Sequence, residues 1–125
     1  MRRDYRLYED DLLEPQDFPI KAIFNLVNDR MFKPTIERLS QNKGFFVEYG
    51  ACLFWDDLDD YDKEITPYYD GVEFGLHSGE ELIIDCKKLL YYLLLICKEY
   101  CSEYPEDTET INRYIQSFKD RNHLE

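Results

Sequence analysis

Residues 80–104 read EELIIDCKKLLYYLLLICKEYCSEY, the most apolar stretch of the chain. The first residues predict a β-strand, and Asp85 is a suitable helix N-cap because its carboxylate can accept hydrogen bonds from first-turn N–H groups. From Cys86 onward, apolar side chains recur at helical spacing, and the middle of the segment is apolar on nearly every side. A helix of this kind is a buried one. We therefore place it at the centre of the core.

Membrane insertion of this helix is excluded by its length. The uninterrupted apolar run covers residues 89–97, nine residues, whereas a transmembrane helix needs about 20. No apolar run near Met1 resembles a signal peptide, because Arg2 and Arg3 are followed by acidic residues rather than a hydrophobic region. The sequence therefore predicts a cytoplasmic protein.

Helices are predicted on both sides of a group of strands. Residues 1–16 contain a short helix or a strand, and the pattern does not decide which. A helix begins at Asp17-Phe18-Pro19 and ends before Pro34, because the residue preceding a proline avoids helical angles. A second short helix follows over residues 34–41. After the central helix, Pro105 begins another segment with apolar residues at helical spacing: Ile111, Tyr114, Ile115 and Phe118.

Three strands are predicted between these helices. Residues 45–55 form one long strand with alternate residues on one face: Phe45, Val47, Tyr49, Ala51, Leu53 and Trp55. Residues 68–77 form the second strand, and a two-residue turn at Ser78-Gly79 leads into the third over residues 80–84. Segregated helices and strands indicate an α+β fold in which a small antiparallel sheet of about three strands packs against helices. With 125 residues, we expect one domain over residues 1–125.

Negative charge is concentrated in one third of the chain. The formal net charge is −12, and residues 46–85 contain twelve acidic side chains and one basic side chain. The remaining residues hold 15 acidic and 14 basic side chains. Direct binding of nucleic acid is disfavoured because phosphate binding requires basic groups. An acidic field attracts and orients a basic protein instead.

The segment 56–67 is predicted to be an acidic loop, with three interpretations. It is a solvated loop, a cation site or a docking surface for a basic protein. Calcium prefers several carboxylates, but an EF-hand pattern starting at Asp60 places Ile65 where glycine is required and Gly71 where a bidentate glutamate is required. Docking is favoured because acidic residues continue beyond the loop, at Asp70, Glu73, Glu80 and Glu81.

Motifs for catalysis and cofactor binding are missing from the sequence. No serine lies in a nucleophile elbow, and the glycines are too scattered to hold a phosphate. Cys97 and Cys101 with His77 or His123 could bind zinc in principle, but their spacing is not that of a zinc site. The sequence therefore predicts a protein that is no enzyme and has no cofactor or metal. A small enzyme that uses paired carboxylates is kept as an alternative.

An ordered set of short sequences resembles a known family. They are YYDGVEF at residues 68–74, EELII at 80–84, CKEY at 97–100 and PED at 105–107. In this order they resemble the CdiI-type immunity proteins of bacterial contact-dependent growth inhibition (CDI), which are paired with ribonuclease toxins. The similarity covers roughly residues 44–115.

The resemblance implies a small cytoplasmic protein that binds the C-terminal ribonuclease domain of a CdiA-type effector and blocks its RNA-cleaving site. An acidic surface suits that role, since a ribonuclease is basic where it holds phosphates. The predicted partner-binding residues are Asp56, Asp57, Asp59, Asp60, Asp62, Glu64, Tyr68, Asp70 and Glu73. The alternatives are a divalent-cation-binding module and an acidic nucleic-acid mimic that inhibits another nuclease.

Overall fold

The computed structural model describes residues 5–125. Of the N-terminal segment 1–16, the first four residues lie outside the described part. The remainder contains two 3₁₀ turns, Glu9–Asp11 and Pro15–Asp17, and no strand. It docks on the first helix, where the Leu7 N–H donates to Asn25 Oδ1 at 2.9 Å and the Leu7 side chain is buried. The undecided choice between helix and strand is thus answered by short helical turns for residues 5–16.

Two helices precede the sheet, with bounds different from those predicted. Helix α1 spans Phe18–Asn25 and α2 spans Asp29–Ser40. The break falls at residues 26–28 because the Asn28 side chain accepts from the Met31 N–H and begins α2. The predicted boundary at Pro34 is wrong, since this proline lies inside α2 and costs one backbone hydrogen bond. The cost is offset by an apolar face that the helix buries, comprising Phe32, Ile36 and Leu39.

The sheet is an antiparallel meander of four strands rather than about three. Its strands, in spatial as well as chain order, are β1 (Phe45–Val47), β2 (Gly50–Phe54), β3 (Val72–Leu76) and β4 (Glu81–Ile84). The predicted long strand over residues 45–55 is wrong, because the chain reverses at Glu48 and Tyr49 and brings Val47 opposite Gly50.

The reversal also changes which residues face the core. Tyr49, predicted to be on the same face as Phe45, is exposed, and Trp55 lies in a 3₁₀ turn after β2. Gly50 is needed at this point, because a Cβ there would lie 2.6 Å from the Gly75 carbonyl oxygen. The core face of the sheet comprises alternate residues of each strand: Phe45, Val47, Cys52, Phe54, Val72, Phe74, Leu82 and Ile84.

Helix α4 spans Cys86–Glu103 and confirms the predicted central helix. Asp85 Oδ1 accepts from the Lys88 N–H at 2.8 Å, as expected of the N-cap. The helix buries seven residues: Leu89, Leu90, Tyr92, Leu93, Ile96, Cys97 and Tyr100. It is not buried on all sides, because Tyr91 is 37% exposed and Leu94 is 44% exposed. A stripe of apolar surface on α4 therefore faces solvent.

The last helix and the β3–β4 turn complete the fold. Helix α5 spans Thr108–Arg121, and its predicted apolar residues pack on the core, with Ile111 and Phe118 buried. The β3–β4 turn has three residues rather than two, since the Leu76 N–H donates to the Glu80 carbonyl. Gly79 has φ of 111° there, a conformation that favours glycine.

The helices lie on the core face of the sheet, in an α+β arrangement. Helix α1 packs on β2 and β3, while α5 packs against both α2 and α4. The Phe24 ring contacts Phe45 and Phe74 at centroid distances of 5.8 and 5.5 Å. Within residues 5–125, none of the helices combines the length and apolar character that a membrane crossing requires.

A buried carboxylate ties the N-terminal segment to α4. Asp17 is fully buried, and its Oδ1 accepts from Lys88 Nζ at 2.9 Å while its Oδ2 accepts from the Tyr92 hydroxyl. That hydroxyl in turn accepts from the Leu13 N–H at 2.9 Å. Each polar group is paired, as burial demands. The connection fixes where the N-terminal residues meet the central helix.

Candidate functional site

The acidic segment, defined as residues 55–71, connects β2 to β3 at one end of the sheet. Phe54 and Val72, which flank it, are paired across the two strands, so the segment leaves and rejoins the sheet at the same point. Strand β4 ends beside Val72 as well, at Ile84. The segment is therefore a projection from one sheet end, and its residues are close in space as well as in sequence.

The acidic segment is more regular than the predicted loop. It begins with a 3₁₀ turn, Trp55–Asp57, and continues as the short helix α3, Asp60–Ile65. Asp59 is the N-cap of α3, with Oδ1 accepting from the Asp62 N–H at 2.8 Å. The prediction of a loop over residues 56–67 is thus wrong for most of its length. Regular structure forms because the Asp59 side chain satisfies a first-turn N–H.

Asp57 has an internal role. Its Oδ2 accepts from the backbone N–H of Gly44 at 2.8 Å and from that of Phe54 at 2.7 Å. These bonds join the start of β1 to the end of β2. A glycine is required at position 44 for this close approach, since a Cβ there would lie 1.9 Å from the Cys52 carbonyl oxygen. The Asp57 carboxylate therefore stabilises the sheet end from which the acidic segment projects.

The other predicted carboxylates are mostly exposed. Asp56 has a side chain that is 91% exposed and forms one ion pair, at 3.2 Å, with Lys63 Nζ. Asp59, Asp60, Glu64 and Asp70 are also exposed, while Asp62 is half-buried. An exposed ion pair contributes little to stability. Apart from Asp59, which caps α3, these carboxylates therefore belong to the surface rather than to the framework of the fold.

Aromatic and aliphatic side chains lie among these carboxylates. Tyr61 is 67% exposed, Ile65 62% and Tyr68 70%. Tyr61 and Ile65 are four residues apart on α3, so they share one face of that helix. The sequence prediction did not include Ile65, although this spacing was a signal that could have identified it. The acidic end of the molecule thus offers exposed apolar area together with negative charge.

Trp55 and Tyr69 form the base of this surface. The Trp55 ring contacts those of Tyr68 and Tyr69 edge-on, with centroids 5.1 and 5.5 Å apart. Tyr69 is buried and donates from its hydroxyl to the Leu53 carbonyl oxygen at 3.1 Å. Burial raises the pKa of Tyr69 to about 12, with smaller contributions from the charges of Glu73 and Asp57. Tyr69 is therefore a neutral hydrogen-bond donor at physiological pH.

Glu73 lies on the outer face of the sheet, the face turned away from the helices. It is opposite Ile83 of β4, and Glu81 is opposite Gly75, so the two carboxyl groups are diagonal neighbours on one face. Burial raises the pKa of Glu73 above its ordinary range, and the charge of Glu81 and a hydrogen bond with its carboxyl group raise that pKa further. Glu73 adjoins the acidic segment through Tyr69.

Two of the remaining acidic residues of the charged region, Glu48 and Glu80, do not join this surface. Glu80 directly follows the β3–β4 turn, at the opposite end of the sheet, where its carboxylate accepts from the Ser78 hydroxyl. Glu48 lies in the β1–β2 turn at that same end. The expectation that one side of the sheet carries all of these acids is therefore met by Glu73 and Glu81 and not by Glu80.

Neither the cysteines nor the carboxylates form a metal site in the described part of the chain. All four cysteines are free thiols. Burial, followed by the charges of Asp70 and Asp85, raises the pKa of Cys86 to about 11. No group of three or more His, Cys, Asp or Glu side chains within residues 5–125 is placed to hold a metal ion.

Similarity to a known protein family extends over most of the chain. A family model described as CDI immunity protein matches residues 16–115. No curated protein matches the chain. The matched region begins just before α1 and ends within α5, so it includes the sheet, the acidic segment and the central helix.

Proposed function

The chain belongs to the CDI immunity protein family, and we propose that it neutralises a cognate ribonuclease toxin domain by binding it through the acidic segment. The toxin domain is the C-terminal region of a CdiA-type effector. The immunity protein acts stoichiometrically and in the cytoplasm, without catalysis or a cofactor.

One observation carries the proposal: exposed carboxylates and exposed apolar side chains occupy the same end of the sheet. Charged side chains alone give a fast encounter but a weak complex, because exposed ion pairs contribute little. Tyr61, Ile65 and Tyr68 supply apolar area that a partner can cover. Aromatic residues surrounded by polar groups are typical of the residues that dominate binding energy at protein interfaces.

The resemblance to CdiI-type proteins implies a ribonuclease as the partner, and the negative charge agrees with that choice. A ribonuclease holds phosphate groups with basic side chains, and the same groups attract carboxylates. Occupation of that site by the acidic segment would exclude RNA. The net charge of −12 also favours rapid association with a basic domain.

The contacts proposed for the toxin are Tyr68 and those carboxylates of the predicted set, apart from Asp57, whose side chains are exposed or half-buried. They are Asp56, Asp59, Asp60, Asp62, Glu64, Asp70 and Glu73. Asp57 belongs to the same surface but contributes through the fold, because its Oδ2 is already bonded to two N–H groups. Tyr61 and Ile65 are added to the set on the basis of their exposure.

Co-expression tests this proposal. The C-terminal domain of the effector encoded beside this gene is induced in cells that carry the immunity gene or an empty vector. We expect growth to be rescued by this chain, intact cellular RNA, and recovery of a one-to-one complex. A catalytically inactive toxin domain, expressed in the same cells, controls for any effect of expression itself on growth. Toxin that remains lethal in the presence of soluble immunity protein would refute the proposal. Loss of DNA with intact RNA in the empty-vector cells would refute the assignment of the toxin as a ribonuclease.

A further inference from the structure

The outer face of the sheet is open to solvent and largely apolar. Phe46 is 77% exposed and Ile83 is 49% exposed, while Ala51, Leu53 and Gly75 are half-buried. No residue that β1–β4 place on this face is buried, whereas the opposite face forms the core. An antiparallel sheet can leave one face in water, but the residues on that face are usually polar. An apolar solvated face is a candidate interaction surface.

Two acidic side chains interrupt this apolar face. Glu73 and Glu81 are diagonal neighbours on adjacent strands, and neither forms an ion pair within residues 5–125. Like charges so placed repel each other. The repulsion is relieved by a shared proton or by a cation inserted between the two carboxylates.

We propose that the outer face of the sheet is the tight-binding part of the toxin interface, and that it receives a Lys or Arg side chain between Glu73 and Glu81. The inference rests on the proposed function and extends the proposed interface from the acidic segment onto the outer face of the sheet. The aliphatic stem of the basic residue lies on Leu53 and Ile83, and apolar neighbours on the toxin cover Phe46. This arrangement desolvates the charge pair, which is the condition under which interface charges matter most.

Charge complementarity selects this partner over a second copy of the chain. A symmetric dimer through the outer face would bring four carboxyl groups together across a two-fold axis. Both copies would also carry a net charge of −12. A basic domain has the opposite sign, so its approach relieves the repulsion between Glu73 and Glu81. Contact with the acidic segment is continuous, because Tyr69 adjoins Glu73 and bonds to Leu53.

Binding by this mode depends on pH through Glu73. The groups that act on Glu73 are Glu81 of β4 and Tyr69 of the acidic segment, while β1 and β2 present Phe46, Ala51 and Leu53, which have no charge. Burial raises the pKa of Glu73, with Glu81 as the second cause, so its proton is lost at a higher pH than that of an ordinary glutamate. A protonated carboxyl group cannot pair with a cation. Toxin affinity should therefore fall as the pH is lowered from 7 through the titration of Glu73.

The test measures binding of the neighbouring toxin domain, in catalytically inactive form, by calorimetry between pH 7 and pH 4.5. Glu73→Gln keeps the shape of the side chain and should weaken binding at pH 7 by about 30-fold or more, as expected for loss of one member of a desolvated charge pair. Its pH profile should be flatter than that of the wild type. Glu106→Gln, an exposed residue outside the sheet, is the control with the same charge change.

A second variant reproduces the cation within the chain itself. Ile83 is directly opposite Glu73, so Ile83→Lys places an ammonium group beside the carboxyl pair without disturbing the core. We expect a urea midpoint no lower than that of the wild type and a loss of toxin binding similar to that of Glu73→Gln.

The possible outcomes separate this inference from the function it rests on. Wild-type protein that neither binds nor protects refutes both. Wild-type protein that protects, with Glu73→Gln and Ile83→Lys binding within twofold of it, refutes the outer-face interface and leaves the proposed function intact. Sedimentation that shows a wild-type dimer broken by Ile83→Lys identifies a second copy as the occupant and also refutes the inference.

Discussion

Reversal of two charges on α3 is the most direct test of the acidic segment. Asp60 and Glu64 are exposed and four residues apart, and neither side chain forms an ion pair within residues 5–125. Asp60→Lys/Glu64→Lys changes the net charge from −12 to −8 with no loss of an internal ion pair. Glu106→Lys/Glu109→Lys makes the same change at the N-terminal end of α5. About 20 Å of helix separates Glu109 from Asn122, which lines a cavity with Trp55 and Asp56.

The size of the effect follows from Coulomb's law. A change of one unit of charge about 10 Å from one positive charge of the toxin alters the interaction energy by about 0.4 kcal/mol in water. Each acid-to-lysine substitution changes the charge by two units, so the double variant loses about 1.7 kcal/mol of attraction. At about 0.01 M salt the Debye length is about 30 Å, and the screened value of about 1.2 kcal/mol slows association about sevenfold. At about 0.15 M salt the Debye length of about 8 Å reduces the effect to about twofold.

Stopped-flow association with the inactive toxin domain, over this range of salt, measures the effect. The α3 variant should associate more slowly than the α5 control, and the two should converge as salt rises. Equal association rates for the two variants at low salt would refute steering by the acidic segment, since both have the same net charge. A circular dichroism spectrum and urea midpoint for each variant establish that the fold is intact.

Three further predictions concern stability. Asp57→Ala should destabilise the fold by about 1–3 kcal/mol in urea unfolding, because two N–H groups lose their acceptor; a cost below 0.5 kcal/mol would contradict its internal role. Asp17→Ala should cost about 1–3 kcal/mol, because the buried Tyr92 hydroxyl loses its acceptor and Lys88 keeps only the exposed Glu14 as a partner. Glu14→Ala, which removes only that exposed partner of Lys88, should cost less than about 1 kcal/mol. The pKa of Tyr69 is raised to about 12 in the fold, so its contribution to the free energy of unfolding is complete below about pH 10, where the unfolded tyrosine begins to ionise, and declines as the pH rises to about 12. Tyr69→Phe should therefore lose stability less steeply than the wild type over that range. Parallel curves of stability against pH for the two proteins would be evidence against the effect.

The strongly periodic elements of the fold were predictable from sequence. The central helix and its N-cap Asp85 follow from local pattern and capping chemistry, and the structure has both. The single long strand predicted over residues 45–55 was wrong because the turn at Glu48 and Tyr49 has only one residue that marks a turn, Gly50 at its last position. Alternation of side chains continues through it in the sequence, and only the pairing of Val47 with Gly50 reveals the reversal.

Pro34 shows how tertiary packing prevails over a local rule. Proline disfavours helical geometry in the preceding residue, yet α2 continues through it. Phe32 and Ile36, on either side of Pro34 in sequence, are both buried, so a break at Pro34 would expose one of them. The cap at Asn28 was visible in the sequence and was the better indicator of where α2 begins.

The candidate site was predictable in location but not in the roles of its residues. Composition identified the acidic segment, because charge density needs no knowledge of the fold. The difference between Asp57, which holds a sheet end together, and Asp60, which points to solvent, depends on contacts with Gly44 and Phe54. The proximity of Glu73 to Glu81 likewise depends on strand register. The prediction gave the bounds of these two strands but did not state which residues pair across them.

Stability and recognition use different parts of this chain. The core lies between the helices and one face of the sheet. Within residues 5–125, the carboxylates of the acidic segment that accept from backbone N–H groups are those of Asp57 and Asp59. The exposed members can therefore change sign or position at small cost to folding. If the toxin contacts lie where we propose, substitutions can change toxin binding without changing the stability of the fold. Asp57 is the exception, because its loss would destabilise the sheet end that carries the binding surface.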